Sequence, residues 1–331
     1  MRRSAPTRRT ASGRRSSSRP SPTRSRVLRA HVLGASAGGG LPQWNCRCEN
    51  CAHVRAGDPR ITARTQDSLA LTGDQGERWL LVNASPDVLR QIERFPPLHP
   101  RAARDTPIGA IALTNGDLDH VAGLLSLRES QPLVLLATER VRAGLVERNA
   151  MLRTLARTRD QVTWRILEPG SELVVESVGL GITALPTAGK LPVHLMGLVV
   201  PSPEDNVSLR VRDLASGRIA VVATAVGGLE DVEALVGGAD AVFFDGTFWS
   251  DDELVAQGLG RARARDMAHG PIGGATGSLA RLAGLEDLAR ARRVYTHINN
   301  TNPVLREGSP ERAAVERAGW EIAFDGMEIT L

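Results

Sequence analysis

Two short segments of this chain carry side chains whose types and spacing can do chemistry. In LTNGDLDHVAGL (113–124), the apolar run IGAIALT (108–114) ends in Asn115, Gly116, Asp117, Leu118, Asp119 and His120, and the amphipathic stretch VAGLLSLRE follows at once. Polar ligands placed where a strand stops and a helix starts can grip a cation while regular structure on both sides holds them still. Asp119 and His120 are the leading ligands of this loop. A third donor has to come from a distant strand end, and His297 in RVYTHINNTNP, directly after an apolar run, is the expected one. Two imidazoles and one carboxylate on one face, with open positions opposite, suit non-haem Fe(II) that activates O2.

The second segment is GGGLPQWNCRCENC (38–51), where Cys46, Cys48 and Cys51, the chain's three cysteines, fall within six residues. An odd, tightly clustered set makes a poor disulfide framework, whereas Cys-x-Cys-x-x-Cys suits a tetrahedral Zn(II) held by thiolates. His53 is near in sequence, but a fourth donor from elsewhere would tie the loop to the body of the fold. A closed site of this kind is structural, because metal binding and folding become one event.

The elements that must position these residues alternate from residue 27 onward. Strands are expected at 27–34, 79–85, 108–114, 132–137, 208–213, 218–224, 240–246, 293–299 and 321–326. Helices are expected at 86–94, 120–129, 138–148, 229–237, 278–287 and 309–318, two of them opened by Ser-Pro. The pattern is layered α/β, and alone it does not separate a doubly wound sheet from two sheets packed between helices.

The loop at 113–124 resembles the Thr-His-x-His-x-Asp-His…Gly-Leu signature of the metallo-β-lactamase superfamily. Thr114, Asp119, His120, Gly123 and Leu124 match it, while Asn115 and Asp117 stand in place of the first two histidines. Together with GGGLPQWNCRCENC, ARTQDSLAL (63–71), NASPDVLRQI (83–92), RDTPIGAIALTN (104–115), FFDGTFWSDDE (243–253) and THINNTNPVL (296–305), it is similar to a bacterial family of pyrroloquinoline quinone (PQQ) biosynthesis proteins over roughly residues 27–331. The resemblance implies an α/β fold of metallo-β-lactamase type, an αββα sandwich formed by a single domain at 27–331.

It also implies an iron oxygenase that hydroxylates the tyrosine ring of a cross-linked Glu–Tyr intermediate cut from a precursor peptide, so that its partners are O2 and a small amino-acid-derived quinone precursor. Two other readings stand beside this one: a carrier of PQQ or a precursor toward the periplasm, and a zinc hydrolase. Against the hydrolase, the histidines of a first metal are gone, and the bridging carboxylate expected after RIAVVAT is replaced by Thr224, with no acid until Glu230. Relatives with this cysteine pattern imply a histidine from the region of RDMAHGPIGG, His269, as fourth zinc donor.

Substrate-side expectations fall on Asp117, Asp245, Asn115 and Lys190, the last being the one lysine among 41 basic residues. A compact ammonium in an irregular loop suits contact with a carboxylate. Arg64, Asn83, Arg128, Asn299, Asn300 and Asn302 are polar groups of the same motifs, whereas His31, His99 and His194 read as structural or surface. The glycines of SAGGGLPQWN lack phosphate-loop spacing and are expected to let backbone pass close to the site.

Charge is unevenly spread. The whole chain carries +4, and residues 1–26 hold nine arginines and no acid, leaving about −5 on 27–331. That Arg/Ser-rich tail is expected to be disordered. With no signal-like apolar stretch and no run that spans a bilayer, a cytoplasmic protein without membrane insertion or nucleic-acid partner is expected, and a homodimer stays open.

Overall fold

Fourteen strands form two sheets in the computed structural model, which describes residues 27–73, 76–157 and 160–331; the expected tail at 1–26 lies outside the described residues. The first sheet holds β1 (Arg29–Gly34), β2 (Ser68–Thr72), β3 (Trp79–Val82), β4 (Ile108–Ala112), β5 (Leu133–Ala137) and β6 (Val162–Ile166). The second holds β7 (Glu172–Val175), β8 (Leu180–Pro186), β9 (Val207–Asp213), β10 (Ile219–Ala223), β11 (Ala241–Asp245), β12 (Arg292–Thr296) and β13 (Glu321–Ile322), and β14 (Glu328–Thr330) returns to the first. Their orders are β14-β1-β2-β3-β4-β5-β6 and β13-β12-β11-β10-β9-β8-β7. In each sheet one part is parallel, β3 to β6 and β10 to β13, and the other is antiparallel. Parallel strands send all their carboxyl ends to one edge, where ligands collect in open α/β sheets.

Alternation along the strands joins the layers. Val32, Leu69, Leu71, Leu80 and Val82 of the first sheet meet Ile182, Leu209, Val211, Val222 and Phe243 of the second in a common buried core. The opposite faces also bury apolar residues: Leu81, Ile111 and Leu135 pack with Val88, Val121 and Val141 of the adjoining helices, and Val221, Phe244 and Tyr295 pack with Leu282, Val315 and Trp320. Each fully buried Leu, Val or Phe contributes about 1.5–3 kcal/mol. The result is the expected αββα sandwich.

Three differences from the sequence-based elements have physical causes. Strands β2, β6, β7, β8 and β14 were not expected; β8, LGITALP, carries Gly and Pro, yet Leu180, Ile182 and Ala184 alternate cleanly into the core. The strand expected at 321–326 stops at Ile322, because Asp325 turns back to accept hydrogen bonds from Ala35 N and from Thr65 N and Oγ1. The helix expected at 120–129 is a four-residue α-turn, Leu118–Val121, continued as a 3-10 helix, Ala122–Leu127.

That last change follows from Gly123. Its N–H donates to Ala84 O (2.9 Å), and a Cβ there would stand 2.1 Å from Ser85 O and 2.7 Å from Ala84 O. The helix start is thereby pressed onto the loop after β3, with Ala84 N donating to His120 O at 2.7 Å. Gly123→Ala is expected to lower stability by about 1–3 kcal/mol through overpacking against backbone. Thermal unfolding and metal-binding titration check this; an unchanged midpoint with unchanged affinity would refute the role given to Gly123.

Candidate metal centre

The centre forms where the carboxyl ends of β4, β11 and β12 converge. Asp119 and His120 come from the turn after β4, His297 directly follows β12, and Asp245 closes β11. Potential ligand atoms of Asp119, His120 and His297 lie within 4.8 Å of one another, as do those of Asp245, His269 and His297, so His297 belongs to both trios. His120 Nε2 and His297 Nε2 are 3.2 Å apart, and Asp119 Oδ2 is 3.4 Å from His297 Nε2 and 3.8 Å from His120 Nε2. Nitrogens that share one ion at about 2.0–2.1 Å stand at roughly such a separation.

Each imidazole is held by its other nitrogen. Thr114 Oγ1 donates to Asn83 Oδ1 (3.0 Å), so it accepts from His120 Nδ1–H at 2.9 Å. Thr247 Oγ1 donates to Asp245 Oδ1 (2.6 Å) and lies 2.9 Å from His297 Nδ1, while His269 Nδ1 donates to Asp245 Oδ2 at 2.7 Å. With every Nδ1 engaged, the Nε2 lone pairs are the ones left for a metal. His297 adopts a left-handed backbone (φ 54°), which turns its ring from the strand into the site.

Charge converges on the same point. Burial opposes ionisation of Asp119, but the His120 and His297 rings outweigh it and hold that carboxyl well below its usual range. Burial lowers His120, whereas in His297 the same burial is overcome by Asp119, Asp67 and Asp245, which draw positive charge onto its ring. Thr224 is buried after β10 and supplies no carboxylate bridge. The chemistry of Asp119, His120 and His297 fits a bound metal cation.

A cleft of 420 Å3 opens over the trio, lined by Gly38, Asn115, Asp117, Leu118, Lys190 and Phe248 among others. Lys190 Nζ stands 3.9 Å from Asp117 Oδ2, and Gly38 brings backbone so close to Asp119 that a Cβ would sit 3.1 Å from Oδ2, as the glycine-rich loop was expected to do. Asn299, His194 and His269 also line the cleft. His194, expected to be structural or surface, carries a buried Nε2 that has no hydrogen-bond partner among the described residues.

Several sequence expectations are corrected. His269 is not the fourth donor of the thiols; Asp245 and Thr247 hold it beside His297, ring centroids 5.3 Å apart. Asn300 is not substrate-facing but lies against the three sulfurs, and His53 points to Asp58. Arg64 is buried and donates to Ala323 O, Asn83 sits behind Thr114, and Arg128 is a surface residue donating to Leu125 O. Asn302 donates to Gly246 O and Thr247 O. The residue that reading missed is Thr247; its signal was the Asp-Gly-Thr step after an apolar strand, where a hydroxyl two residues on returns to its own aspartate.

The thiol cluster stands apart. Cys46, Cys48 and Cys51 surround a common point at the start of the helix Glu49–Arg55. Burial pushes the Cys48 thiol up to about 12, so that sulfur keeps its proton unless a cation binds beside it.

Two seven-stranded sheets between helices, with an Asp-His pair after β4 and a late histidine after β12, define a protein of the metallo-β-lactamase superfamily, and the Beta-lactamase superfamily domain matches residues 78–298. Within it, the chain belongs to the coenzyme PQQ synthesis protein B family. It is 46% identical over 308 residues to Coenzyme PQQ synthesis protein B of Methylobacterium nodulans, covering 92% of this chain and 100% of that one. It is 44% identical over 303 residues to the protein of the same name from Methylorubrum populi, covering 91% and 99%. The crystal structure of Zn2+-bound PqqB from Methylobacterium extorquens superposes with a TM-score of 0.85 at 42% identity, covering 92% of this chain and 100% of that one. Among the described residues no helix is long and apolar enough to cross a membrane.

Thr247→Val keeps the shape and removes the hydroxyl shared by Asp245, His269 and His297. Metal affinity is expected to fall about 10–100-fold with the chain still folded; competition with a chromophoric chelator measures it, and undiminished affinity would contradict the assignment. A second expectation concerns pH. Burial pushes Glu253, which accepts from Trp249 N, up to about 7 from its ordinary 4.5. Between those values the native chain holds a proton the unfolded chain has lost, so stability falls as pH rises through that window. Glu253→Gln is expected to remove that slope in denaturant titrations; an identical slope would exclude Glu253 as its source.

Proposed function

We propose that this chain is an iron- and O2-dependent hydroxylase of PQQ synthesis, acting on the tyrosine ring of a cross-linked Glu–Tyr intermediate. The observation that carries the reading is the donor set: two imidazoles and one carboxylate on one wall of a 420 Å3 cleft, with Asn115 and Asp117 where the ligands of a first hydrolytic metal would be. The family name supports the pathway. The relative from Methylobacterium extorquens holds Zn2+, and a donor set of this type accepts either ion.

Fe(II), held by Asp119, His120 and His297, would supply the chemistry that activates O2. The chain supplies the rest. Lys190 stands at the cleft wall as a cation for a substrate carboxylate. Leu118, Val193 and Phe248 give the ring an apolar surface. One oxygen atom enters the ring and the other leaves as water, so a two-electron reductant must accompany O2.

The test is turnover of the Glu–Tyr intermediate by iron-loaded protein with a reductant. Hydroxylated product is expected only when O2 is admitted, with one labelled oxygen from 18O2. Equal hydroxylated product under argon would reject O2 as the oxidant, and cleavage without hydroxylation, equal in air and under argon, would favour a hydrolase. Binding without turnover in air would favour the carrier.

A further inference from the structure

The segment ARTQDSLAL carries a buried acid that the ligands of the metal centre do not include. Asp67 lies just before β2, on the face that carries Leu69 and Leu71. Thr296 ends β12 on the face that carries Val294, so both side chains point into the space between the sheets. Asp67 Oδ1 accepts from Thr296 Oγ1 at 2.8 Å, a bond that joins the two sheets one residue before His297. Asp67 Oδ2 has no hydrogen-bond partner among the described residues.

A mechanical link does not need a carboxylate there. On the other side of His297 the chain is already laced to the first sheet by backbone. Ile298 N donates to Ala35 O (2.9 Å), Ala37 N to Ile298 O (3.0 Å), and Asp67 N to Ser36 O (2.6 Å). An amide side chain would accept from Thr296 as well, and it costs less to bury than an ionised carboxyl with one hydrogen bond. What the acid adds is charge, which acts more strongly in a low-dielectric interior than in water. Burial pushes Asp67 up to about 6 and the His297 ring draws it back, so above that pH the buried group is a carboxylate. It acts in turn on His297, where burial opposes positive charge and Asp119, Asp67 and Asp245 outweigh it.

We propose that Asp67 is a positioning residue of the metal centre: held by Thr296, its carboxylate sets a fixed negative charge beside His297, which tightens the grip of Asp119, His120 and His297 on a cation and lowers the reduction potential of bound iron. Its carboxyl belongs to neither ligand trio that contains His297. A negative charge near a metal ion favours retention of the ion and its more highly charged state, the sense in which outer carboxylates act through metal-bound histidines. This role depends on the three ligands alone, whichever reaction the cleft performs.

Asp67→Asn tests this, because it keeps an acceptor for Thr296 and removes the charge. In the full chain titrated with Co(II), sulfur-to-cobalt charge-transfer bands follow the thiol cluster and the remaining visible bands follow the cleft. The Asp67→Asn chain is expected to hold the cleft ion about 10–100-fold more weakly with the thiol cluster unchanged. The potential of iron bound in the cleft, read by spectroelectrochemical titration, is expected to move to a more positive value. Affinity or potential that stays at the wild-type value reduces the pair to a structural bond and overturns the proposal. An equal loss at the thiol cluster overturns it too, since that pattern marks a loosened fold. Thr296→Val, which leaves the acid without its holder, decides the matter if the Asp67→Asn chain does not fold: a weakened cleft ion supports the role of Asp67, and an undiminished one ends it.

Discussion

Two imidazole nitrogens face each other at 3.2 Å across the edge of this molecule, and they arrive from different sheets. His120 is carried by the turn after β4, and His297 by the end of β12. Their separation is therefore set by how the sheets pack, which is the work of Val32, Leu80 and Val82 against Leu209, Val222 and Phe243. Close-packed interiors do not deform continuously, so the spacing is a property of the whole sandwich and not of the loops. With both Nδ1 atoms bound to threonine hydroxyls, the two Nε2 atoms are left facing each other, joined by a proton on His297 or by a metal cation in its place.

The surroundings supply the complementary field. Asp119, Asp245 and Asp67 all bear on His297. Asp67 is buried, accepts from Thr296 Oγ1 (2.8 Å) and has no hydrogen-bond partner for its other oxygen among the described residues, and burial raises its carboxyl to about 6. Buried acids without full pairing cost stability, and such cost persists where a charge is to be received.

How much of this was legible in the residues depended on whether the information was local. Asp119, His120 and His297 could be read because ligands at strand ends leave an abrupt change from apolar to polar residues. The cysteines could be read because three thiols in six residues have few other uses. The sandwich came from motif resemblance, since alternation alone fits two layered folds. What failed was pairing across distance. His269 and Asn300 were assigned to each other's sites, because nothing in their neighbourhoods tells which side of the strand-end edge each loop reaches. The short 3-10 continuation after Val121 escaped notice for the same reason: the cause is the close approach of Ala84 and Ser85 to Gly123, a tertiary contact that overrides helical periodicity.

The same edge shows what stands where the superfamily signature has its first two histidines. Asn115, at the first missing histidine, donates to Asn206 Oδ1 at 3.2 Å, and Asn206 Nδ2 donates to Thr187 O (3.1 Å) and Ala225 O (2.8 Å). Where a hydrolase would place imidazoles, amides therefore stitch the turn after β4 to the loops after β8 and β10. Asp117, at the second missing histidine, faces Lys190 at 3.9 Å, so its charge is directed toward an ammonium at the cleft wall. Thr224 adds no bridging charge. Neither Asn115 nor Thr224 offers an imidazole or a carboxylate, and Asn115 and Asp117 both line the cleft, so the positions that lack the signature's histidines give the cleft wall its polar groups.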